Sequence, residues 1–396
     1  MRIFTTLLFC TICISAIAQK PDNRIVIGAV DTIFSKVLNE KRALLIHVPN
    51  GGKDERYPVL YILDGEDHFN SAVGIVQQMA GVIPDMVIVG ITNTVRERDL
   101  TPTHVTARKG QDDVSGGGEN FMKFINDELF PYVDSHYPTA PYRVFSGHSL
   151  GGLTVVNALV NHTALFNAYI VIDPSLWWDN KKLLKQIQQQ LSTLNLAKKS
   201  LFVAFANNMS PGVDTITVMQ DTLNPRTNVT RSVLPFIKAL KETKPKALNW
   251  SYKFYPNERH GTIELNAEYD ALRYLFNYYA FLTSQFDGHP ELNVDAVLAA
   301  HFKMLSERLR YTVVPPESLV NSLAYYCWGT NKSKEAFSLF KRNIDNHPQS
   351  GNAFDSVGDF YAGTGEKQKA IEAYIKSLSL QETVDTRRKL EELRKK

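Results

Sequence analysis

The sequence predicts an α/β fold with a mostly parallel sheet, followed by a small all-helical region. Short, largely apolar runs alternate with long helical patterns from residue 24 to about residue 286. Continuous apolar strands separated by helices are typical of a parallel sheet that is covered on both faces. A serine between glycines stands at one strand-to-helix junction, and only helical patterns remain beyond residue 286.

Eight segments have the length and composition of strands. They are residues 25–30, 42–48, 59–63, 86–91, 143–145, 168–172, 201–205 and 250–255. The first two are expected to form an antiparallel edge. Helical patterns cover residues 119–136, 150–160 and 180–194 between the later strands.

The first eighteen residues are expected to be a signal peptide. They contain a short positive start, an apolar run over residues 3–17 and an Ala-Ile-Ala cleavage site at residues 16–18. The run is short for a membrane span, and no basic stop-transfer flank follows it. We therefore expect an exported protein, periplasmic or secreted, with no membrane span after cleavage.

Composition excludes several classes of function. The chain has 396 residues, 44% of them hydrophobic, and a net charge of +3, which is too mild for a nucleic-acid-binding protein. Cys10 and Cys13 lie in the predicted signal peptide, which leaves only Cys327 in the mature chain. Beyond the predicted signal peptide, the sequence has neither a Cys-x-x-Cys nor a His-Glu-x-x-His motif, so no metal or organic cofactor is expected.

The region 287–396 has a repeat with a period of 34 residues. Ala-Phe-Ser-Leu-Phe at 336–340 aligns with Ala-Ile-Glu-Ala-Tyr at 370–374, and Gly-Thr recurs at 329 and 363. This period is typical of tetratricopeptide helix pairs, although three such repeats are usually needed for independent stability. We therefore expect a helical module that packs on the preceding domain through residues 294–310 and is a candidate surface for a protein partner.

Gly-His-Ser-Leu-Gly at residues 147–151 predicts a nucleophile elbow. In α/β-hydrolases, a sharp strand-to-helix turn exposes the serine hydroxyl, and the flanking glycines let strand and helix pass closely. The motif thus points to an α/β-hydrolase domain over residues 19–286 with Ser149 as its nucleophile. The backbone N–H of Leu150 begins the following helix and is expected to be one oxyanion donor.

The general base is expected to be His260. In this fold the histidine follows the serine and the acid along the chain and usually lies in a loop after the last strand. His260 occupies such a loop, after the strand predicted at 250–255. His289, His301 and His347 lie in later helical or linker segments and fit less well.

The third member of the triad is harder to assign. The acid normally follows the strand before the histidine strand, but Ala-Asn-Asn at 206–208 occupies that place. We prefer Asp214, because its loop could fold back toward His260. Asp221, Glu258 and Asp173 remain candidates, as does a Ser-His dyad without a carboxylate.

The second oxyanion donor is expected after the third strand, where residues 63–67 read Leu-Asp-Gly-Glu-Asp. Gly65 permits a close turn, so the amide of Gly65 or Glu66 is the candidate. An ordinary Asp-Gly turn is the alternative interpretation.

Several segments together resemble the Putative esterase family, which includes esterase D, feruloyl esterases, siderophore esterases and mycolyl transferases. They are residues 57–65, 93–102, 147–152, the Asp-Pro-Ser-Leu-Trp-Trp run at 173–178, and His-Gly at 260–261. The Pro-Ser-Leu-Trp-Trp motif is most similar to the siderophore-esterase branch. The resemblance covers residues 25–286, implies Ser149 as nucleophile and His260 as base, and departs at Asn208, where many members have the acid.

The same resemblance gives four more residues a candidate role in substrate binding. Arg96 and Arg98 lie in a loop at the carboxyl end of a strand, where ligands bind in open α/β sheets. Either arginine could pair with an acidic substrate group, and an internal Arg98–Asp99 pair is the alternative. Trp177 and Trp178 could form a wall of the acyl pocket, although one of them is expected in the core.

These observations predict an exported serine carboxylic-ester hydrolase that works through an acyl-enzyme on Ser149. Its expected ligand is a small-molecule ester. An acyltransferase of the same fold and a non-catalytic binding protein that uses the helical repeats are the alternatives.

Overall fold

A computed structural model describes residues 24–51, 55–106, 113–245 and 247–395. The predicted signal peptide, residues 1–18, lies outside this part of the chain. Within the described ranges, no helix combines the length and the apolar character needed to cross a bilayer.

One sheet of eight strands forms the centre of the first domain. Its order is β1-β2-β4-β3-β5-β6-β7-β8, with parallel pairing from β4 to β8 and antiparallel pairing of β1 with β2 and β2 with β4. The strands are β1 Ala29–Ser35, β2 Glu40–His47, β3 Tyr57–Leu63, β4 Val87–Ile91, β5 Thr139–His148, β6 Ala168–Ile172, β7 Lys199–Ala206 and β8 Leu248–Tyr255. The predicted fold class is therefore confirmed.

The first strand lies later in the chain than its apolar run predicts. Ile25 and Val26 are exposed, and β1 instead covers Ala29–Ser35, a more polar segment. An edge strand has only one neighbour, so its pairing depends on the turn that joins it to β2 more than on continuous hydrophobicity. That turn ends at Asn39, whose φ of 54° is the left-handed conformation that asparagine tolerates.

Helices cover both faces of the sheet. They are α1 Gly65–Gln78, α2 Arg96–Leu100, α3 Gly118–Phe124, α4 Phe130–His136, α5 Leu150–Asn161, α6 Trp178–Gln190, α7 Asn228–Thr243 and α8 Glu264–Leu275. A π-helical turn, Ile125–Leu129, joins α3 to α4. Helices α1 and α8 pack on one face of the sheet, and α3 to α7 pack on the other.

Alternate strand residues supply the two cores. On β3, Leu60 and Ile62 pack against α1 and α8, whereas Val59, Tyr61 and Leu63 face the opposite helices. All five are buried. Because both faces are covered, the strand is apolar along its whole length and not in alternation.

The C-terminal region is all helical. Its helices are α9 Val294–Leu309, α10 Glu317–Gly329, α11 Ser333–Asn346, α12 Gly351–Gly363, α13 Lys367–Leu380 and α14 Val384–Lys395. Helices α10 and α12 begin 34 residues apart, as do α11 and α13, so the helix pairs follow the repeat in the sequence. Its identity as a tetratricopeptide module stays a prediction.

Helix α9 connects the hydrophobic core of the C-terminal helices to the core that α1 and α8 form on one face of the sheet. Leu298, Phe302 and Leu305 pack with the C-terminal helices, while Leu309 at the end of α9 is buried among the residues of α1 and α8. Arg310 also donates a hydrogen bond to the Lys198 carbonyl at 3.3 Å. The helical region therefore packs on the sheet domain through the helix expected from the sequence.

Glu268 on α8 is a buried carboxyl group below the carboxyl edge of the sheet. Burial raises its pKa from 4.5 to about 7, opposed by a hydrogen bond from Ser146 and assisted by the charge of Glu264. A folded-state pKa above the unfolded value means that the folded protein holds its proton more tightly. The resulting stability is fully present below pH 4.5 and is lost as the pH rises through about 7.

The Glu268→Gln variant is accordingly expected to gain stability over the native chain as the pH rises. Between pH 5 and pH 8 the difference in unfolding free energy should grow by about 2–3 kcal/mol, because only the native chain must ionise a buried group. Chemical denaturation at both pH values measures it, with the exposed Glu242→Gln as control. An effect that is independent of pH would contradict the raised pKa of Glu268.

Candidate active site

Ser149 occupies the turn between β5 and α5. Its φ of 58° and ψ of −115° are strained for a side chain, at a typical cost of about 1–3 kcal/mol. The backbone is held in place because Ser149 N–H donates to the Ile172 carbonyl at 3.1 Å, and its own carbonyl accepts from Ser175 N–H at 2.9 Å. A conformation that is strained and also fixed from both sides is the geometry of a nucleophile elbow.

The glycines around Ser149 are required by close backbone contacts. A Cβ atom on Gly147 would lie 2.6 Å from the carbonyl carbon and oxygen of Gly151. A Cβ atom on Gly152 would lie 2.9 Å from the Ile172 carbonyl oxygen. The elbow can therefore form only where strand, helix and neighbouring strand approach without side chains.

His260 contacts Ser149 directly. Its Nε2 lies 3.0 Å from Ser149 Oγ, within hydrogen-bond distance. The loop between β8 and α8 carries this histidine, as the sequence predicts, and its backbone N–H donates to Asn208 Oδ1 at 2.9 Å. The imidazole side chain is 39% exposed. The structure thus brings the two residues of the expected nucleophile and base together.

Asp173 is the carboxylate that contacts His260. Its Oδ2 lies 2.6 Å from His260 Nδ1, and its side chain is fully buried. The other oxygen accepts the N–H of Ala206 at 3.1 Å, while Asn208 Nδ2 donates to Oδ2 at 2.7 Å. With Nδ1–H donated to Asp173, the Nε2 lone pair faces the Ser149 hydroxyl.

The preference for Asp214 is not supported by this geometry. Asp214 is exposed, and its Oδ1 accepts the N–H groups of Ile216 and Thr217 at 3.0 and 2.8 Å. These bonds, those from Thr217 first, lower the pKa of Asp214, so the carboxylate stabilises its own loop.

The two remaining carboxylates are also bonded elsewhere. Asp221 accepts the Ser210 hydroxyl at 2.7 Å, and Glu258 accepts from Thr262 and Asn266 at 2.6 and 2.7 Å. Only Asp173, of the four candidates, contacts the His260 imidazole.

Asn208 takes the place where the acid was expected and has a different task. Its side chain donates to the Asp173 carboxylate and accepts from the His260 backbone, so one amide links the β7 loop to both residues. In the sequence, this position is notable only because an asparagine stands where a carboxylate is expected. Nothing in the sequence indicates that the Asn208 amide links Asp173 to His260.

The candidate oxyanion donors begin two neighbouring helices. Leu150 is the first residue of α5, while Gly65 and Glu66 are the first two of α1, so their N–H groups have no partner within their own helix. A Cβ atom on Gly151 would lie 3.4 Å from Asp64 Oδ2, which places the two helix starts side by side. Both helix dipoles therefore favour negative charge beside Ser149.

Arg96 and Arg98 are both engaged in ion pairs. Arg96 donates two hydrogen bonds to Asp64, at 2.6 and 2.8 Å, and lines a cleft beside the elbow. Burial disfavours ionised Asp64, but the bonds from Arg96 and Asn93 outweigh it and lower the pKa of Asp64. Arg98 pairs with Glu40 and Asp99, each at 2.7 Å. For Arg98, the structure therefore supports the internal pair with Asp99 and not a contact with substrate.

The two tryptophans divide as expected. Trp178 donates its indole N–H to the Thr103 carbonyl at 3.0 Å and packs against the main core. Trp177 is partly exposed, with its ring centroid 6.1 Å from that of Trp178. Trp177 is therefore the one available to a ligand.

A cleft of about 490 Å³ lies beside Ser149 and His260. Its walls include Asp64, Asp67, His68, Arg96, His148 and Glu264. His148 precedes Ser149, and its ring centroid lies 4.4 Å from that of His260. The sequence did not assign a role to His68 or Glu264, because they come from α1 and α8, which only the fold brings to this edge.

Comparisons with known proteins indicate the family of the chain. Residues 35–213 match the family described as "Putative esterase". The ferri-bacillibactin esterase BesA of Bacillus subtilis is 34% identical over 164 residues, which are 36% of this chain and 55% of that protein. The chain therefore spans little more than half the length of this curated relative.

Two solved structures extend the similarity. An IroE-like serine hydrolase from Shewanella oneidensis is 30% identical, covers 80% of this chain and 99% of its own, and has a TM-score of 0.67. An uncharacterised protein from Capnocytophaga ochracea is 17% identical with a TM-score of 0.63 and covers 93% of this chain and 99% of its own. The second shares the fold, and its alignment reaches the C-terminal helices. On these matches the chain belongs to the Putative esterase family of α/β-hydrolases.

Proposed function

We propose that the chain is a serine carboxylic-ester hydrolase. The observation that supports this most directly is the hydrogen-bonded sequence from Ser149 Oγ to His260 Nε2 at 3.0 Å and from His260 Nδ1 to Asp173 at 2.6 Å. A nucleophile, a base and a group that orients the base are the three parts that acyl transfer requires.

In the proposed mechanism, His260 Nε2 removes the proton from Ser149 as Oγ attacks the ester carbonyl carbon. The tetrahedral oxyanion is stabilised by the N–H of Leu150 and by a second N–H from Gly65 or Glu66. His260 then gives its proton to the leaving alkoxide, which yields the alcohol and an acyl-enzyme. Asp173 holds the imidazole in the correct tautomer and stabilises the imidazolium that forms.

Water completes the cycle by hydrolysing the acyl-enzyme, again with His260 as base. The partly exposed imidazole supports hydrolysis over transfer to another alcohol, because solvent can reach the base. A purely binding role is disfavoured, because the strained elbow and the bonded histidine have a cost that binding alone does not require.

Siderophore esters are the first substrate class to assay, since the relative from Bacillus subtilis is named as a ferri-bacillibactin esterase. Arg96 and Trp177 are the proposed substrate contacts, one polar and one aromatic. We also propose that the chain is exported, on the strength of its first eighteen residues. A protein partner for the helical region remains a prediction.

A fluorophosphonate probe tests the proposed function directly. Such probes phosphonylate serines that are activated by a base, so we expect stoichiometric labelling of the native chain and mass-spectrometric recovery of the label on Ser149. Hydrolysis of short-chain p-nitrophenyl esters should disappear in proportion to labelling. A native chain that is folded and not labelled would refute the esterase proposal.

A further inference from the structure

Three side chains of the cleft wall form a candidate binding site that is separate from the triad. His68 lies on α1, His148 ends β5 and Glu264 begins α8, and one ligand atom of each lies within 4.8 Å of the other two. His148 Nδ1 and Glu264 Oε1 are 2.9 Å apart. The proposed mechanism uses none of these three side chains.

Two imidazoles and a carboxylate are a typical ligand set for zinc. With metal–ligand distances of roughly 2.0–2.2 Å, the ligand atoms of a tetrahedral site are separated by about 3.3–3.5 Å. The separations in this cluster, from 2.9 Å to at most 4.8 Å, bracket that value. Small side-chain rotations are therefore enough to close three ligands around one ion.

The surroundings favour a cation. Asp64, Asp67 and Glu264 line the cleft, whereas Arg96 is the only arginine or lysine among its lining residues in the described chain. With neutral imidazoles the lining has a net negative charge, which raises the local concentration of cations. All three candidate ligands line the same cleft, so a fourth position of the ion would face solvent or a ligand there.

We propose that His68, His148 and Glu264 bind a divalent transition metal such as zinc, and that the bound ion suppresses the esterase. The second part depends on the proposed function. The His148 ring packs against that of His260, with 4.4 Å between centroids. A cation held there opposes the positive charge that His260 must acquire during ester cleavage and also narrows the cleft.

Calorimetric titration of the untagged chain with zinc tests the site without any substrate. We expect one zinc ion per chain with a dissociation constant in the micromolar range. Magnesium, which prefers oxygen ligands, should not bind measurably. Native protein that binds zinc only at millimolar concentrations would overturn the proposal.

Variants locate the ion. His68→Ala and Glu264→Gln should each weaken zinc binding at least tenfold, with thermal melting used to verify that they fold. His162→Ala is the matched control, because His162 also pairs with a glutamate, Glu119, at 3.2 Å but at the opposite end of α5. Unchanged zinc affinity in His68→Ala would refute the proposed site.

His260→Ala separates this cluster from a second one. His148, Asp173 and His260 also have ligand atoms within 4.8 Å of one another. The proposal expects zinc affinity to survive His260→Ala, and a loss there would assign the ion to the second cluster instead. Because these titrations need no substrate, failure of the metal proposal and failure of the esterase proposal are separate results.

The inhibitory part is tested with p-nitrophenyl esters. Saturating zinc should lower the native rate at least tenfold, reversibly on addition of a chelator, while the His68→Ala rate, relative to its own zinc-free value, should resist zinc. Equal inhibition of both proteins would contradict the proposed suppression.

Discussion

Ser149→Ala is expected to abolish ester hydrolysis almost completely. Removing the nucleophile leaves only the oxyanion donors and substrate binding, and the equivalent loss in a serine protease is about 10⁶-fold in kcat. We expect a loss of roughly 10⁴- to 10⁶-fold here, since ester substrates are intrinsically more reactive than amides. Steady-state kinetics and probe labelling measure it.

Ser175 provides a demanding control for this variant. Its Oγ lies only 3.3 Å from Ser149 Oγ, so it is a second hydroxyl in the same place. Ser175→Ala should retain probe labelling and most of the hydrolysis, because Ser175 Oγ is not the hydroxyl that contacts His260. If Ser175→Ala were inactive and Ser149→Ala active, the nucleophile would be Ser175 and not Ser149.

His260→Ala should fall to the same residual rate as Ser149→Ala. The two side chains act as a unit, so removing both should cost little more than removing either one. This non-additivity separates a role in the chemical step from a general loss of folding. Independent, additive losses in the double variant would argue against a shared proton transfer.

Sequence patterns predicted the parts of the site that depend on local structure. Ser149 is marked by flanking glycines, whose absence of a Cβ the elbow needs, and His260 by its loop after the last strand. Both signals lie within a few residues of the side chain concerned. The strand order then determines whether such side chains meet.

Sequence patterns favour Asp214 over Asp173, because the local signal at Asp173 is ambiguous. An aspartate before Pro174 reads equally well as the cap of a turn. What distinguishes it is that Asp173 follows β6, and β6 lies between β5, which ends just before Ser149, and β7, which ends two residues before Asn208. Strand neighbours are set by packing over the whole sheet, and one sequence does not display them. For the same reason, one sequence does not reveal that His68, His148 and Glu264 lie close together.

Asp173→Asn is expected to lower kcat by about 10³- to 10⁴-fold with little change in KM. An asparagine amide would donate to Nδ1 and favour the tautomer with a proton on Nε2, which cannot accept the Ser149 proton. Asp214→Asn is the matched control and should remain within a few-fold of the native rate, because Asp214 bonds its own loop. Near-native activity of Asp173→Asn would contradict the role of this carboxylate.

Exchanging the side chains at 173 and 208 tests whether a carboxylate at position 208 can orient His260 in place of Asp173. Asn208 Nδ2 lies 2.7 Å from the Asp173 oxygen that contacts His260, so a carboxylate at 208 would be close to the imidazole. The double variant Asp173→Asn/Asn208→Asp is therefore expected to be ten- to a hundredfold more active than Asp173→Asn. The single variant Asn208→Asp should instead be impaired, since two carboxylates within hydrogen-bond distance repel. A double variant no better than Asp173→Asn would mean that only β6 can present the acid.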